Sequence, residues 1–197
     1  MMLPARVAFL AICCLAFSSC SKPKNTVEAP TLLPPSQAFR PPGRATNTPA
    51  IYQPFFSHGL SQDKIETVRS LLPFESIALR RTPCFGPCPV YNIVLHREGK
   101  AELNAEDHLP KLGKFVGEVS LNTYGRLCYL IENSHFNEMD SSYRGLWTDA
   151  STCIVTVTSG ATTKSVSDYG GVGPIELWAI QELLDATKNE IEWKPAK

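Results

Sequence analysis

Cys84 and Cys88 stand four positions apart, with Phe85-Gly86-Pro87 between them. Two thiols this close either close a small disulfide ring or work as a dithiol that exchanges electrons. Gly86 and Pro87 allow the reversal that brings the sulfurs together. A redox dithiol usually has two intervening residues and a helix N-terminus that depresses the thiol pKa; here three intervene and an apolar, strand-like run starts at Val90. The pattern therefore favours a structural bridge. Of seven cysteines, Cys13 and Cys14 fall in an apolar N-terminal run and Cys20 just beyond it. The remaining four allow three connectivities. The favoured pairing is Cys84 with Cys88 and Cys128 with Cys153, the second joining a helical stretch to the strand-like run after it. Zinc ligation by Cys84 and Cys88 with His96 or His108 lacks a second Cys/His pair at ligand spacing, so neither a metal nor another cofactor is expected.

The other chemistry-bearing types are scattered. His58, His96, His108 and His135 lie in different segments, and neither a His-Glu-x-x-His pair nor a Gly-x-Ser-x-Gly elbow occurs. Asp168-Tyr169-Gly170-Gly171-Val172-Gly173 precedes a helical stretch and offers N–H groups to an anion. Without the Lys-Ser/Thr of a phosphate loop it reads as a mobile loop. Glu106, Asp107, Asp140 and Asp149 read as solvated loop charge. Tyr143, Arg144 and Trp147 combine the three residue types enriched at binding hot spots, and they form the candidate interaction segment. No catalytic residue emerges, which leans the reading away from an enzyme.

The elements that hold these residues follow from periodicity. Ser61 is a candidate N-cap for a short helix carrying Ile65, Val68, Leu71 and Leu72, stopped by Pro73. Ile77 and Leu79 alternate with Ala78 and Arg80, as in a half-buried strand. Residues 90–96 are apolar on both faces, as in a central strand. Glu98-Gly99 signals a hairpin into a more polar strand over 100–106, expected near an edge. Leu121, Tyr124, Leu127, Cys128 and Ile131 keep a helical period. Residues 153–158 and 164–169 form a second strand pair about a turn at 159–162, and Pro174 opens a helix with Leu177, Ile180, Leu184 and Thr187 on one stripe. The order βββ-α-ββ-α predicts an α+β fold: an antiparallel-rich sheet of about five strands with two main helices on one face.

The N-terminal region gives an address. Residues 1–19 read as a signal peptide, with Arg6 followed by an apolar run over 7–17. That run is far shorter than the roughly 20 residues needed to span a bilayer. Phe17-Ser18-Ser19-Cys20 resembles a bacterial lipobox, which makes Cys20 the expected acylation site and the N-terminal lipid the expected membrane contact. Half of the 16 prolines lie between Pro23 and Pro54. Residues 20–56 therefore read as an extended tether, about 90 Å long at most for roughly 30 residues, leading to a single domain over 57–197. Ser21 in place of Asp resembles the sorting signal of outer-membrane lipoproteins that face the periplasm. Up to Phe56 the chain has five basic residues (Arg6, Lys22, Lys24, Arg40, Arg44) and one acidic (Glu28), which leaves 14 basic and 18 acidic residues for the rest. A net of −4 argues against a nucleic-acid partner.

Arg81-Thr82-Pro83-Cys84-Phe85-Gly86-Pro87-Cys88-Pro89-Val90-Tyr91, followed by Glu98-Gly99 and later by Tyr143, Asp149, Tyr169 and Trp193, resembles domain of unknown function 6438, over about 76–193. That family occurs in bacterial secreted proteins and lipoproteins, so the resemblance implies a fold and an envelope context without an activity. The expectation is a lipid-anchored, non-enzymatic binding module whose partner is an envelope protein or component. One form is an inhibitor or immunity protein against an envelope-active toxin or hydrolase. The competing expectation is an envelope thiol-disulfide protein that works through Cys84 and Cys88.

Overall fold

The computed structural model describes residues 50–52 and 62–197. The expected signal peptide, Cys20, most of the expected tether and the expected cap at Ser61 lie outside the described residues. In chain order the elements are α1 (Gln62–Leu71), β1 (Ser76–Arg81), β2 (Val90–His96), β3 (Lys100–Asp107), β4 (Gly113–Glu118), α2 (Leu121–Asn133), β5 (Ser142–Arg144), β6 (Thr152–Ser159), β7 (Thr162–Tyr169), α3 (Ile175–Glu190) and β8 (Lys194–Pro195). Short 3-10 turns occupy Ala50–Tyr52 and Phe136–Glu138.

The fold is α+β, but the sheet is larger than expected. Eight strands run in the order β5-β7-β6-β1-β2-β3-β4-β8. All neighbours are antiparallel except β5 and β7, which pair in parallel with Tyr143 opposite Asp168. The expectation of about five antiparallel strands omitted β4, β5 and β8. β5 and β8 are three and two residues long, too short for any period to show. β4 is masked by its composition, Gly-Lys-Phe-Val-Gly-Glu. Gly117 is needed there because a Cβ would lie 2.4 Å from Ile191 Cγ2, so the chain leaving α3 crosses this point. With β4 in place, β3 is an interior strand, paired with β2 and β4, not a strand near the edge.

Alternation sets the two sheet faces. Ile77 and Leu79, Ile93 and Leu95, Leu103, Val155 and Val157 are buried in one core with Tyr124, Leu127 and Ile131 of α2 and Leu177, Ile180 and Leu184 of α3. The alternate positions include Arg80, Asn92, Asn104, Thr156 and Ser165, which need no cover. Ser120 caps α2, its hydroxyl accepting from the Thr123 N–H at 3.0 Å. Tyr52, inside the stretch read as tether, is buried in the core; its hydroxyl bonds Glu132 and its ring meets Tyr129 edge-on at 5.3 Å. The domain therefore recruits residues before position 57.

Candidate functional site

Strand register gathers four connections at one end of the sheet. Arg81 at the end of β1 faces Tyr91 and Cys153. Val90 faces Asp107, Ala105 faces Gly113, and Thr152 faces Tyr169, which in turn faces Arg144. The segments 82–89, 108–112, 145–151 and 170–174 therefore emerge together. Backbone bonds tie three of them to each other: Phe85 N–H to Asp149 C=O at 3.1 Å, Thr82 N–H to Thr152 C=O at 3.0 Å, and Gly170 N–H to Ser151 C=O at 3.0 Å.

The first connection is held at its base and across its tip. Arg81 and Tyr91, on either side of it, both bond the carboxylate of Asp185 on α3, with Arg81 Nε at 2.9 Å. Burial works against the Arg81 charge, but the Asp185 carboxylate outweighs it and holds the guanidinium above its ordinary value. At the tip Cys84 and Cys88 form a disulfide, Cα to Cα 5.8 Å. Pro89 and β2 follow Cys88, so the pair does not open a helix as a redox dithiol usually does. A five-residue ring bearing Gly86 and Pro87 has no interior, and Phe85 projects from it 90% exposed.

The second expected bridge is absent: Cys128 and Cys153 are both free and buried. Cys128 packs against the Phe74 backbone and Cys153 sits opposite Arg81, at the two ends of β1. Seven residues of extended chain separate those levels by about 20 Å, whereas a disulfide needs Cα atoms within about 7 Å. Only a 3-10 turn and the short β5 separate helix from strand in the chain, but the two cysteines lie at different heights of the sheet. Burial pushes the Cys128 thiol up strongly and the Cys153 thiol up to about 12, so both stay protonated and inert at neutral pH.

The expected interaction segment divides. Tyr143 packs against the core, its hydroxyl accepting from the Asp140 N–H at 3.2 Å. Arg144 lies over the Tyr169 ring, 5.1 Å from its centroid. Trp147 lays its ring against Gly145 and Gly170, where a Cβ on Gly170 would stand 2.2 Å from its Nε1. The ring keeps about half its surface open, and Leu146 beside it is 99% exposed. Sequence reasoning missed Phe85 and Leu146; the available signal was an apolar residue flanked by glycine in a connection too short to fold it inward.

In the stretch 168–173, two of the N–H groups offered to an anion are already taken. Asp168 is buried and its carboxylate accepts from the Val172 and Gly173 N–H groups at 2.9 and 3.0 Å and from Gln181 Nε2 at 3.1 Å. The protein's own carboxylate thus fills the place an anion would take, and Val172 and Ile175 are left exposed beyond it. Among the described residues no three His, Cys, Asp or Glu side chains gather as metal ligands do, and no helix is long and apolar enough to cross a membrane.

Nothing among curated proteins matches the chain. The family model described as domain of unknown function (DUF6438) matches residues 75–188, from the start of β1 to Lys188, three residues beyond Asp185. With well over half of its length inside that match, the chain belongs to the DUF6438 family.

Proposed function

We propose that this chain is a lipid-anchored bacterial envelope protein that acts as a non-enzymatic binding module, with the loop end as its contact surface. The observation that carries the reading is the set of apolar side chains displayed there: Phe85, Leu112, Leu146, Trp147, Val172 and Ile175. A single exposed leucine is ordinary. Six large apolar residues, five on connections that emerge together and Ile175 at the start of α3, are not: full burial of such a side chain provides roughly 1.5–3 kcal/mol, and Phe85 and Leu146 forgo nearly all of it. Across the connections 82–89, 108–112, 145–151 and 170–174 the only Asp, Glu, Lys or Arg residues are Lys111 and Asp149, close to the charge depletion found at the centre of protein interfaces. The disulfide, the Asp185 clamp and the Asp168 carboxylate fix these tips, so binding would cost little ordering.

The Ser18-Ser19-Cys20 site and the proline-rich stretch support the envelope placement. An inhibitor or immunity protein for an envelope-active toxin or hydrolase is a concrete form of this role, since capping needs a rigid apolar surface and no chemistry. The redox reading keeps one observation in its favour, the partly exposed disulfide at the same end. A reduction potential below about −300 mV would mark the bridge as structural, and one near −120 to −200 mV would mark it as catalytic.

The test is capture from envelope extract with the full chain and with a Phe85→Ser, Leu146→Ser variant. Both positions are exposed, so the variant should fold normally and lose at least tenfold in recovery of whatever the native chain retains. Equal recovery would place the contact elsewhere.

A further inference from the structure

A cavity of about 410 Å³ opens between the β3–β4 connection and the end of α3. It borders one of the loop-end connections, 108–112, through Leu109, Pro110 and Lys111, and its size is that of small-molecule sites. Leu103, Phe115, Ile191 and Trp193 form its apolar body. Trp193 is fixed there by its Nε1–H, which donates to the Lys188 C=O at 2.9 Å. Lys111 and Lys188 also line the cavity, and no carboxylate does. Neither lysine has an ion pair among the described residues. Lys188 instead rests over the Tyr91 ring, 4.2 Å from its centroid, while Asp185 on α3 is bonded by Arg81 and Tyr91. Burial pushes the Lys188 ammonium below the usual lysine range, the neighbouring Arg81 adds to this, and Asp185 only partly offsets it.

An apolar body lined also by two lysines that make no ion pair among the described residues is complementary to a molecule with a hydrocarbon chain and an anionic head. The head is better a monoanion than a phosphate. The lining has no arginine fork, and α3 ends here at Glu190, so the negative end of its dipole opposes a second charge. The geometry points to a binding site for a fatty-acid carboxylate, its chain against Phe115, Ile191 and Trp193 and its head between Lys111 and Lys188.

The test uses the full chain with Cys20→Ala, so that no acyl group of its own competes, and with Trp147→Phe and Trp178→Phe, so that Trp193 is the only tryptophan. Dodecanoate, titrated below its micelle concentration, should shift Trp193 emission saturably. Dodecyl phosphate should bind more weakly and dodecyltrimethylammonium should give no saturable shift. Lys111→Glu, at an exposed position, and Lys188→Met should each weaken dodecanoate at least fivefold, with thermal melts showing both variants folded. The assignment is overturned by a dodecanoate response that does not saturate, by a cationic amphiphile or dodecyl phosphate binding as tightly, or by folded lysine variants that bind like the parent.

Discussion

Gly170 and Trp147 show how a single residue decides what the loop end displays. Gly170 has φ of +80°, in the region that disfavours a side chain, and the Trp147 ring fills the space a Cβ would need. Gly170→Ala should therefore cost about 2 kcal/mol and displace the indole, read as a lower melting midpoint together with a red shift in Trp147 emission. An unchanged spectrum would mean that the ring does not rest on this glycine. At this scale the sequence was partly legible. Residue type pointed to Tyr143, Arg144 and Trp147, because hot-spot chemistry depends on type. It did not separate Tyr143, turned toward the core, from Leu146, turned fully outward, because burial is set by what the rest of the chain places nearby. The same limit produced the Cys128–Cys153 pairing: both thiols are buried as core cysteines are, but the height of each along β1 depends on register.

The elements with a strong period, β1, β2, β6, β7, α2 and α3, were all legible, as were the short α1 and the more polar β3, whereas β4, β5 and β8 were not. β4 carries two glycines, one forced by the crossing of Ile191, and β5 is specified by its parallel partner β7, not by its own residues. The Arg81-to-Tyr91 motif was legible as a disulfide loop, but its third support, Asp185, lies about a hundred positions later on α3, a distance no local pattern spans. The bridge across this loop can be weighed directly. Closing a five-residue ring contributes about 2 kcal/mol on the chain-entropy estimate, so Cys84→Ser with Cys88→Ser should lower the melting midpoint by roughly 5–10 °C for a domain of this size. A redox-active pair behaves otherwise, since its disulfide is the higher-energy form. An unchanged midpoint in melts of the oxidised protein and the double variant would overturn the structural role.

On the scale of the whole molecule, polarity runs along the sheet. Tyr52 contacts α2 at Tyr129 and Glu132, close to Cys128, toward the start of β1. The tips that carry Phe85, Leu146 and Trp147 emerge at the other end. Tyr52 and these tips thus mark opposite ends of the sheet. If Cys20 is the anchor, labelled fatty acid should be incorporated into the native chain, and Cys20→Ala should move the protein out of the membrane fraction; a variant that still sediments with membranes would refute the anchor. The central claim is that the loop end is the surface that binds. Site-specific photo-crosslinking in intact cells tests it most directly, with the reactive side chain placed in turn at Phe85, Leu146, Ile175 and Leu71, the last exposed at the end of α1 and away from the tips. The account predicts a shared, discrete adduct from the first three positions and none from Leu71. Adducts from Leu71 alone, or equal labelling at all four, would contradict it.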